Sequence, residues 1–381
     1  MNAARLTFLV PVKGRLLHVV RLLWHANRMK TGHHFLLADG SGHPALVALL
    51  KRSAQVFPDL DIEHVVYEDD GSFSSFYRRT ADAARRVSTP YVMNCGDDDL
   101  VFGAGLVPCI EFLDTRPDYV CCGGVVAGFT LAAGSPSGQL PVTGPLTGLK
   151  YPAGRYYLPR DIDHDTALER VTVGYSDYLS TYHSLYRSEL LAEIYGEVEK
   201  QDFSVLHFRE AYIAMRTFAS GKVKTNPAVV HFFRQRRIGE AAGGDLIRAA
   251  FRPPFAIEFE RMVAKIAQMV SRADGVAPEF SEPEIRDAYA EFFRRKAAGS
   301  RRNARIFGAT GEGQGGQQPK EKAQTAAPRE MFSALAKDGA SDAYLKTFRY
   351  EFEETERVLY GKEFNEFLRD QAPELLEVAE G

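Results

Sequence analysis

Over its first 130 residues the chain keeps switching between two hydrophobic rhythms. Short apolar runs occur at 6–12, 34–40, 62–70, 91–98 and 119–126. Between them, segments such as "RLLHVVRLLWHANRM", "HPALVALLKRSAQVF", "FSSFYRRTADAARRV" and "FGAGLVPCIEFLDTR" place their apolar residues at helical spacing. Strand–helix–strand alternation at this interval predicts a parallel sheet covered by helices, and right-handed crossovers put the strand-to-helix loops along one edge. The fold class expected is therefore α/β.

The polar residues are arranged along that edge. The first strand runs into Lys13 and Arg15, the second into Asp39, and the third into Glu68, Asp69 and Asp70. The fourth runs into Asp97, Asp98 and Asp99. Ligands of open α/β sheets bind outside the carboxyl ends of the strands, so one site holding cations and carboxylates together is expected. Simpler uses exist for each: Asp39 and the Asp69–Asp70–Gly71 run suit turns, and Lys13 and Arg15 suit a solvated helix start. Three consecutive carboxylates exceed what a helix cap needs, and they suit a hard divalent cation such as Mn²⁺ or Mg²⁺. The spacing fits no EF-hand, and neither GxxxxGK[ST] nor GxGxxG occurs. A carboxylate-held cation beside basic side chains suits a diphosphate.

Other classes are disfavoured. A net charge of −3 offers no global basic field for nucleic acid. The four cysteines lack zinc-ligand spacing and read as buried thiols of a cytoplasmic protein. The apolar run before Lys13 is too short for a signal-peptide core, and no stretch reaches a transmembrane span, leaving at most a membrane-peripheral contact.

Beyond residue 126 the chain is rich in Gly, Pro and Thr as far as 175, and reads as loops or a hairpin. "HFREAYIAMRTFASGKV" predicts a helix with Gly221 at its C-terminal turn, and "KTNPAVVHFFRQRR" a strand. The segment 253–270 is an amphipathic helix expected to pack on the main domain rather than on a membrane. Residues 308–328 read as a flexible linker, and 341–369 as an amphipathic stretch docking back onto the body.

The ordered set "FLVPVKGRLLHVVRLL", "FLLADGS", "TPYVMNCGDDDL" and "YRSELLAEIYG…FREAYIAMRTFASGKVKTNP…HFFRQRR" resembles family-2 glycosyltransferases of GT-A fold over residues 5–237. The resemblance implies a nucleotide-diphospho-sugar transferase with a Rossmann-like mixed sheet and a helical C-terminal extension. Its divisions would be a transferase domain at 1–240 (nucleotide-binding half 1–126, acceptor half 127–240), an extension at 241–307, the linker, and a helical segment at 329–381. It implies that Pro11, Lys13 and Arg15 border the nucleotide, that Asp39 bonds the base, typically uracil, and that Arg78 or Arg79 lies nearby. The metal-binding DxD motif would fall on Asp97–Asp99, with Asp98 and Asp99 as ligands and Gly96 where an Asp often begins it. His231 or Arg234 would approach the metal or the diphosphate from a later strand, although a histidine on an apolar strand is more often a core residue.

The family's base is the Asp of an "ED" pair. Here Glu210 is followed by Ala211, so Glu210 is the first candidate and Asp177 the second. The activity implied is inverting transfer from a nucleotide-sugar donor, typically a UDP-sugar, to a carbohydrate or glycolipid acceptor in polysaccharide or glycoconjugate synthesis. A nucleotidyltransferase and an inactive scaffold of the same fold are the alternatives.

Overall fold

The computed structural model describes residues 5–68, 71–131, 143–144, 146–151, 160–235, 244–307 and 328–380. The first half of the sheet-bearing region follows the predicted order. It comprises β1 (Leu6–Val12), α1 (Leu16–Arg28), β2 (His34–Asp39), α2 (Pro44–Leu50), α3 (Ser53–Val56), β3 (Asp61–Val66), α4 (Phe73–Arg86) and β4 (Tyr91–Asn94). Two residues of strand, β5 (Leu100–Val101), then lead into α5 (Gly103–Thr115). The segment predicted as one helix over 43–57 is two, broken at Lys51–Arg52. Asp69, Asp70 and residues 308–327 of the expected linker 308–328 lie outside the described residues, while Pro328 begins a helix.

The second half contains β6 (Tyr119–Leu131), β7 (Leu146–Lys150), α6 (Ala167–Ser176), β8 (Leu185–Arg187), α7 (Ser188–Gln201), α8 (Leu206–Ser220) and β9 (Lys222–Gln235). The predicted hairpin is the antiparallel β6–β7 pair. Helix α6, in the stretch read as loops, is an addition.

The sheet has the order β3-β2-β1-β4-β8-β6-β9-β5, with β7 paired to β6. Strands β3, β2, β1 and β4 are mutually parallel, β8 runs antiparallel to both neighbours, and β6 and β9 are parallel. This is the mixed sheet expected, with a Rossmann-like half. Parallel pairing aligns Val12, Asp39 and Val66 at one edge. Their following loops therefore start side by side.

Strands covered on both faces read as continuous apolar runs, as in β1, where all residues but Pro11 are buried. One face packs on α1, α2 and α5, and the other on α4, α6, α7 and α8. Gly221 closes α8, but with φ near 169° it is extended rather than left-handed. A Cβ there would lie 2.6 Å from a Val120 methyl, so close packing is what demands glycine.

Helices α9 (Gly244–Ala250), α10 (Pro254–Asp274) and α11 (Pro278–Phe307) continue the second layer. Met262, Val263, Ile266 and Val270 of α10 are buried against the body, as the amphipathic pattern predicts. Helices α12 (Pro328–Lys337), α13 (Asp342–Tyr360), α14 (Lys362–Gln371) and α15 (Pro373–Glu380) return to the first layer. There Trp24 of α1 meets Phe364 and Phe367 at 5.3 and 5.7 Å between ring centroids. Each such aromatic contributes about 2 kcal/mol or more through removal from water. All four cysteines are buried free thiols. Among the described residues no helix is long and apolar enough to cross a membrane.

Candidate active site

The site is built on the aligned strand ends. After β1 the chain turns at Gly14 in the left-handed region (φ 67°), which brings Arg15 to the start of α1. Arg15 makes no helix cap; its guanidinium pairs with Asp97 and, at 2.6 Å, with Asp98 Oδ2. Lys13 is exposed beside it, and Pro11 lies within β1 opposite Ala38.

The three aspartates occupy the turn between β4 and β5, and all are buried. The Asp98 carbonyl accepts from Arg21 at 2.7 Å, and the same Arg21 nitrogen reaches Gln235 Oε1 at 2.6 Å. Asp99 Oδ1 accepts the backbone N–H of Gln235 at 2.9 Å, which ties the turn to the end of β9. Burial pushes the Asp97 carboxyl up to about 7 against the pull of Arg15. Burial and the Asp98 charge raise Asp99, opposed by the Gln235 N–H and by Arg234. Three carboxylates so close together raise one another's cost of ionisation.

Gly96 has a specific use here. A Cβ on it would lie 2.6 Å from Asp99 Oδ2 and 3.1 Å from Asp98 Oδ1. Oxygens of two separate carboxylates thus converge on the space a side chain at 96 would fill. Hard oxygen donors with a raised cost of ionisation fit a divalent cation. Among the described residues no three such ligands are gathered, so the protein would supply part of a coordination shell.

Asp39 and His231, placed by resemblance at the base and the metal, are both engaged by the protein. Asp39 has no solvent-exposed surface. Its Oδ1 accepts from Ser41 N, Ser41 Oγ and Gly42 N at 2.8, 2.6 and 3.2 Å, and its Oδ2 lies 3.0 Å from His64 Nε2. Burial alone would raise its pKa, but the bonds from His64, Ser41 and Gly42 hold it near 2. It shapes the loop after β2. His231 Nδ1 accepts from Gly124 N at 2.9 Å, and its Nε2–H donates to the His183 carbonyl at 2.6 Å. Burial lowers this imidazole to about 4. With both nitrogens bonded to backbone, His231 pins β9 to β6 and holds no metal in this arrangement.

Of the two arginines, Arg79 is buried and donates to the Val12 carbonyl at 2.8 Å, bracing the β1 loop. Arg78 is exposed, within electrostatic range of Asp202.

The candidate bases differ sharply. Asp177 caps the end of α6 and is held by Arg295 at 2.8 Å and Arg160 at 3.7 Å. Glu210 stands one turn into α8, its side chain reaching solvent from a recess whose charge is felt by Tyr77, Tyr178 and Tyr182. Among the described residues its carboxylate accepts no hydrogen bond and joins no ion pair. Burial raises its pKa, opposed by Arg234 and Lys296. Ala211 is fully buried, so the helix turns the first position of the family's pair toward the recess and the second into the core. Tyr182 feels the charges of Asp99, Glu210 and Asp97, and Arg234 those of Asp99 and Glu210. The aspartate turn and Glu210 thus border one region.

The sequence matches no protein-family model and no curated protein. Among solved structures it is similar to residues 1–349 of TarS from S. aureus in complex with UDP-GlcNAc. That match has TM-score 0.47 and 14% identity over 95% of this chain and 92% of that one. It is also similar to the mannosyltransferase PcManGT from Pyrobaculum calidifontis in complex with GDP-Man and Mn²⁺. There the TM-score is 0.40 and the identity 15%, over 94% of this chain and 88% of that one.

Several residues of the site escaped the sequence reading, chiefly Arg21, Gln235, Tyr182 and Lys296. Arg21 carried a signal: His18, Arg21 and His25 recur at spacings of three and four along α1. Arg21 and His25 are wholly buried, and His18 is partly so. A polar line inside an apolar helix marks groups held by partners elsewhere. Tyr182 and Lys296 carried none.

Proposed function

We propose that this chain transfers a sugar from a nucleotide-diphosphate donor, a UDP-sugar first among them, to a hydroxyl acceptor. The observation that carries the reading is the unencumbered Glu210 carboxylate bordering the same region as a buried aspartate turn and its arginines. A base near the acceptor needs a free carboxylate with a raised pKa, and a diphosphate needs positive charge.

The loop at Pro11–Arg15 and the Asp39 turn would border the nucleotide, with Arg79 bracing that loop from behind. Asp98 and Asp99 would hold Mn²⁺ or Mg²⁺, which when bound supplies charge that makes a diphosphate a better leaving group. Asp97 keeps Arg15 in place. Arg234 would lie toward the departing diphosphate. Glu210 takes the acceptor proton as the acceptor oxygen bonds to the anomeric carbon. The bond from that carbon to the diphosphate oxygen breaks, and the diphosphate leaves with the electron pair. Attack from the face opposite the leaving group inverts the anomeric configuration. Synthesis of a polysaccharide or glycoconjugate is the corresponding role.

The test is calorimetry of UDP binding with and without Mn²⁺, on the native protein and on Asp98→Asn. The expected outcome is Mn²⁺-dependent binding that Asp98→Asn weakens at least about tenfold. Binding indifferent to both would sink the metal–diphosphate assignment.

A further inference from the structure

The helices after the sheet are fastened to those that carry the candidate bases. The Glu258 carboxylate of α10 accepts from Ser204 N, Ser204 Oγ and Val205 N at 2.8, 2.6 and 3.0 Å, capping α8. Asp274, at the other end of α10, accepts from Ala167 N and Leu168 N at 2.7 and 2.9 Å, capping α6. Helix α11 then packs along α6 and reaches α8 through its side chains. Its Arg295 holds Asp177, and its Phe292 stacks on His207 of α8 with centroids 5.3 Å apart and planes 4° from parallel. Lys296 places its ammonium 5.5 Å from the Phe292 ring centroid.

That stack sets a register. Phe292 and Lys296 are four residues apart on α11, and His207 and Glu210 three apart on α8, so each pair shares one helix face. With the two rings stacked, Lys296 is brought toward Glu210 across the recess. We propose that Lys296, delivered by the helical extension, is a positioning residue that holds the Glu210 carboxylate by charge attraction toward an acceptor hydroxyl. This rests on the reading of Glu210 as the base.

The other groups facing Glu210 make Lys296 distinctive. They are Tyr77 of α4, Tyr175 of α6, Tyr178 and Tyr182 from the loop after α6, and Arg234 of β9. Burial raises the tyrosines, so they are neutral near pH 7. Burial and Lys296 lower His207 to about 4, so it too is neutral. The remaining cation, Arg234, also interacts with Asp99, on the side of the aspartate turn. Lys296 is the cation on the opposite side.

The experiment is a ¹³C NMR titration of the glutamate-labelled full chain, with Glu210→Gln assigning the resonance, in the native protein, Lys296→Met and Lys296→Arg. Lys296 is exposed, and an unchanged Tm checks that the variants fold. Removing a neighbouring positive charge raises a carboxyl pKa, so Lys296→Met should move the Glu210 titration upward by about half a unit. Lys296→Arg should restore it. With a turned-over UDP-sugar, the acid limb of the pH–rate profile should move the same way, and kcat on that limb should fall about threefold. UDP binding in the presence of Mn²⁺ should not change. An unmoved Glu210 titration in Lys296→Met overturns the proposal, as does loss of UDP binding in that variant alone. A native protein that binds no UDP, but whose Glu210 still responds to Lys296, sinks the transferase reading and leaves the pairing standing.

Discussion

Both carboxylate oxygens of Glu351, on α13, lie on one donor, the backbone N–H of Ala104 in the first turn of α5, at 3.0 and 3.1 Å. The carboxylate is buried, and burial pushes it up to about 7 despite that N–H. A group whose folded-state pKa is raised contributes stability present below its unfolded value and lost as pH rises through the folded one. Docking of the C-terminal helices should therefore weaken between about pH 4.5 and 7, by an amount on the order of 3 kcal/mol at the limit. Glu351→Gln keeps an acceptor for Ala104 and removes the titration. Its Tm should fall less over that window than the native protein's, the remainder coming from other raised carboxyls such as Asp97, and thermal melts across pH will check this.

Gly96 predicts a separation of binding from folding. In Gly96→Ala the methyl group displaces the Asp99 carboxylate, which is short and already bonded to Gln235. Mn²⁺-dependent UDP affinity should fall at least about tenfold, or 1.4 kcal/mol, while Tm changes by only a few degrees. Calorimetry and a thermal melt on the same sample measure both.

The two candidate bases predict opposite outcomes. Glu210→Gln should cost about a hundredfold or more in transfer with UDP affinity preserved, the usual scale for removal of a general base. Asp177→Asn breaks only surface pairs with Arg160 and Arg295, so turnover should stay within about twofold. Rates measured on a panel of nucleotide sugars decide between them.

Arg21 is a buried charge whose partners are also buried. Arg21→Met leaves the Asp98 carbonyl and the Gln235 amide without their donor and removes a counter-charge from three aspartates. A loss of about 3 kcal/mol is expected in denaturant unfolding. Arg21→Lys should not restore it, because a compact, strongly hydrated ammonium costs more to bury than a guanidinium and does not lie over the Phe129 ring as Arg21 does, 5.8 Å from its centroid.

How far the sequence could be read depended on whether a residue's partners were near in sequence. Strands β1 to β4 announced themselves because apolar runs between helices have one economical arrangement. The aspartates drew attention because three charges exceed any local need. The short strands β5 and β8 carry too few residues for a rhythm, and the sheet supplies their pairing. Asp39 was visible as a turn residue and His231 as a core histidine; the resemblance alone sent them to the base and the metal. Glu210 was a candidate from the resemblance, but its freedom from partners among the described residues follows from the phase of α8 and from what α11 leaves open, which no local pattern encodes.

The caps that Glu258 and Asp274 place on α8 and α6 bear on how the protein is made. A ribosome releases α6 roughly a hundred residues before the aspartate that finishes its N-terminus, and α8 some fifty before its glutamate. These N–H groups at the starts of both helices must wait for α10 to emerge, although Thr166 already caps α6 from within its own sequence. A gene fragment ending at the last strand would encode the whole sheet and still leave them unfinished. The unit that folds, and the unit to express or transplant, therefore extends at least through Asp274.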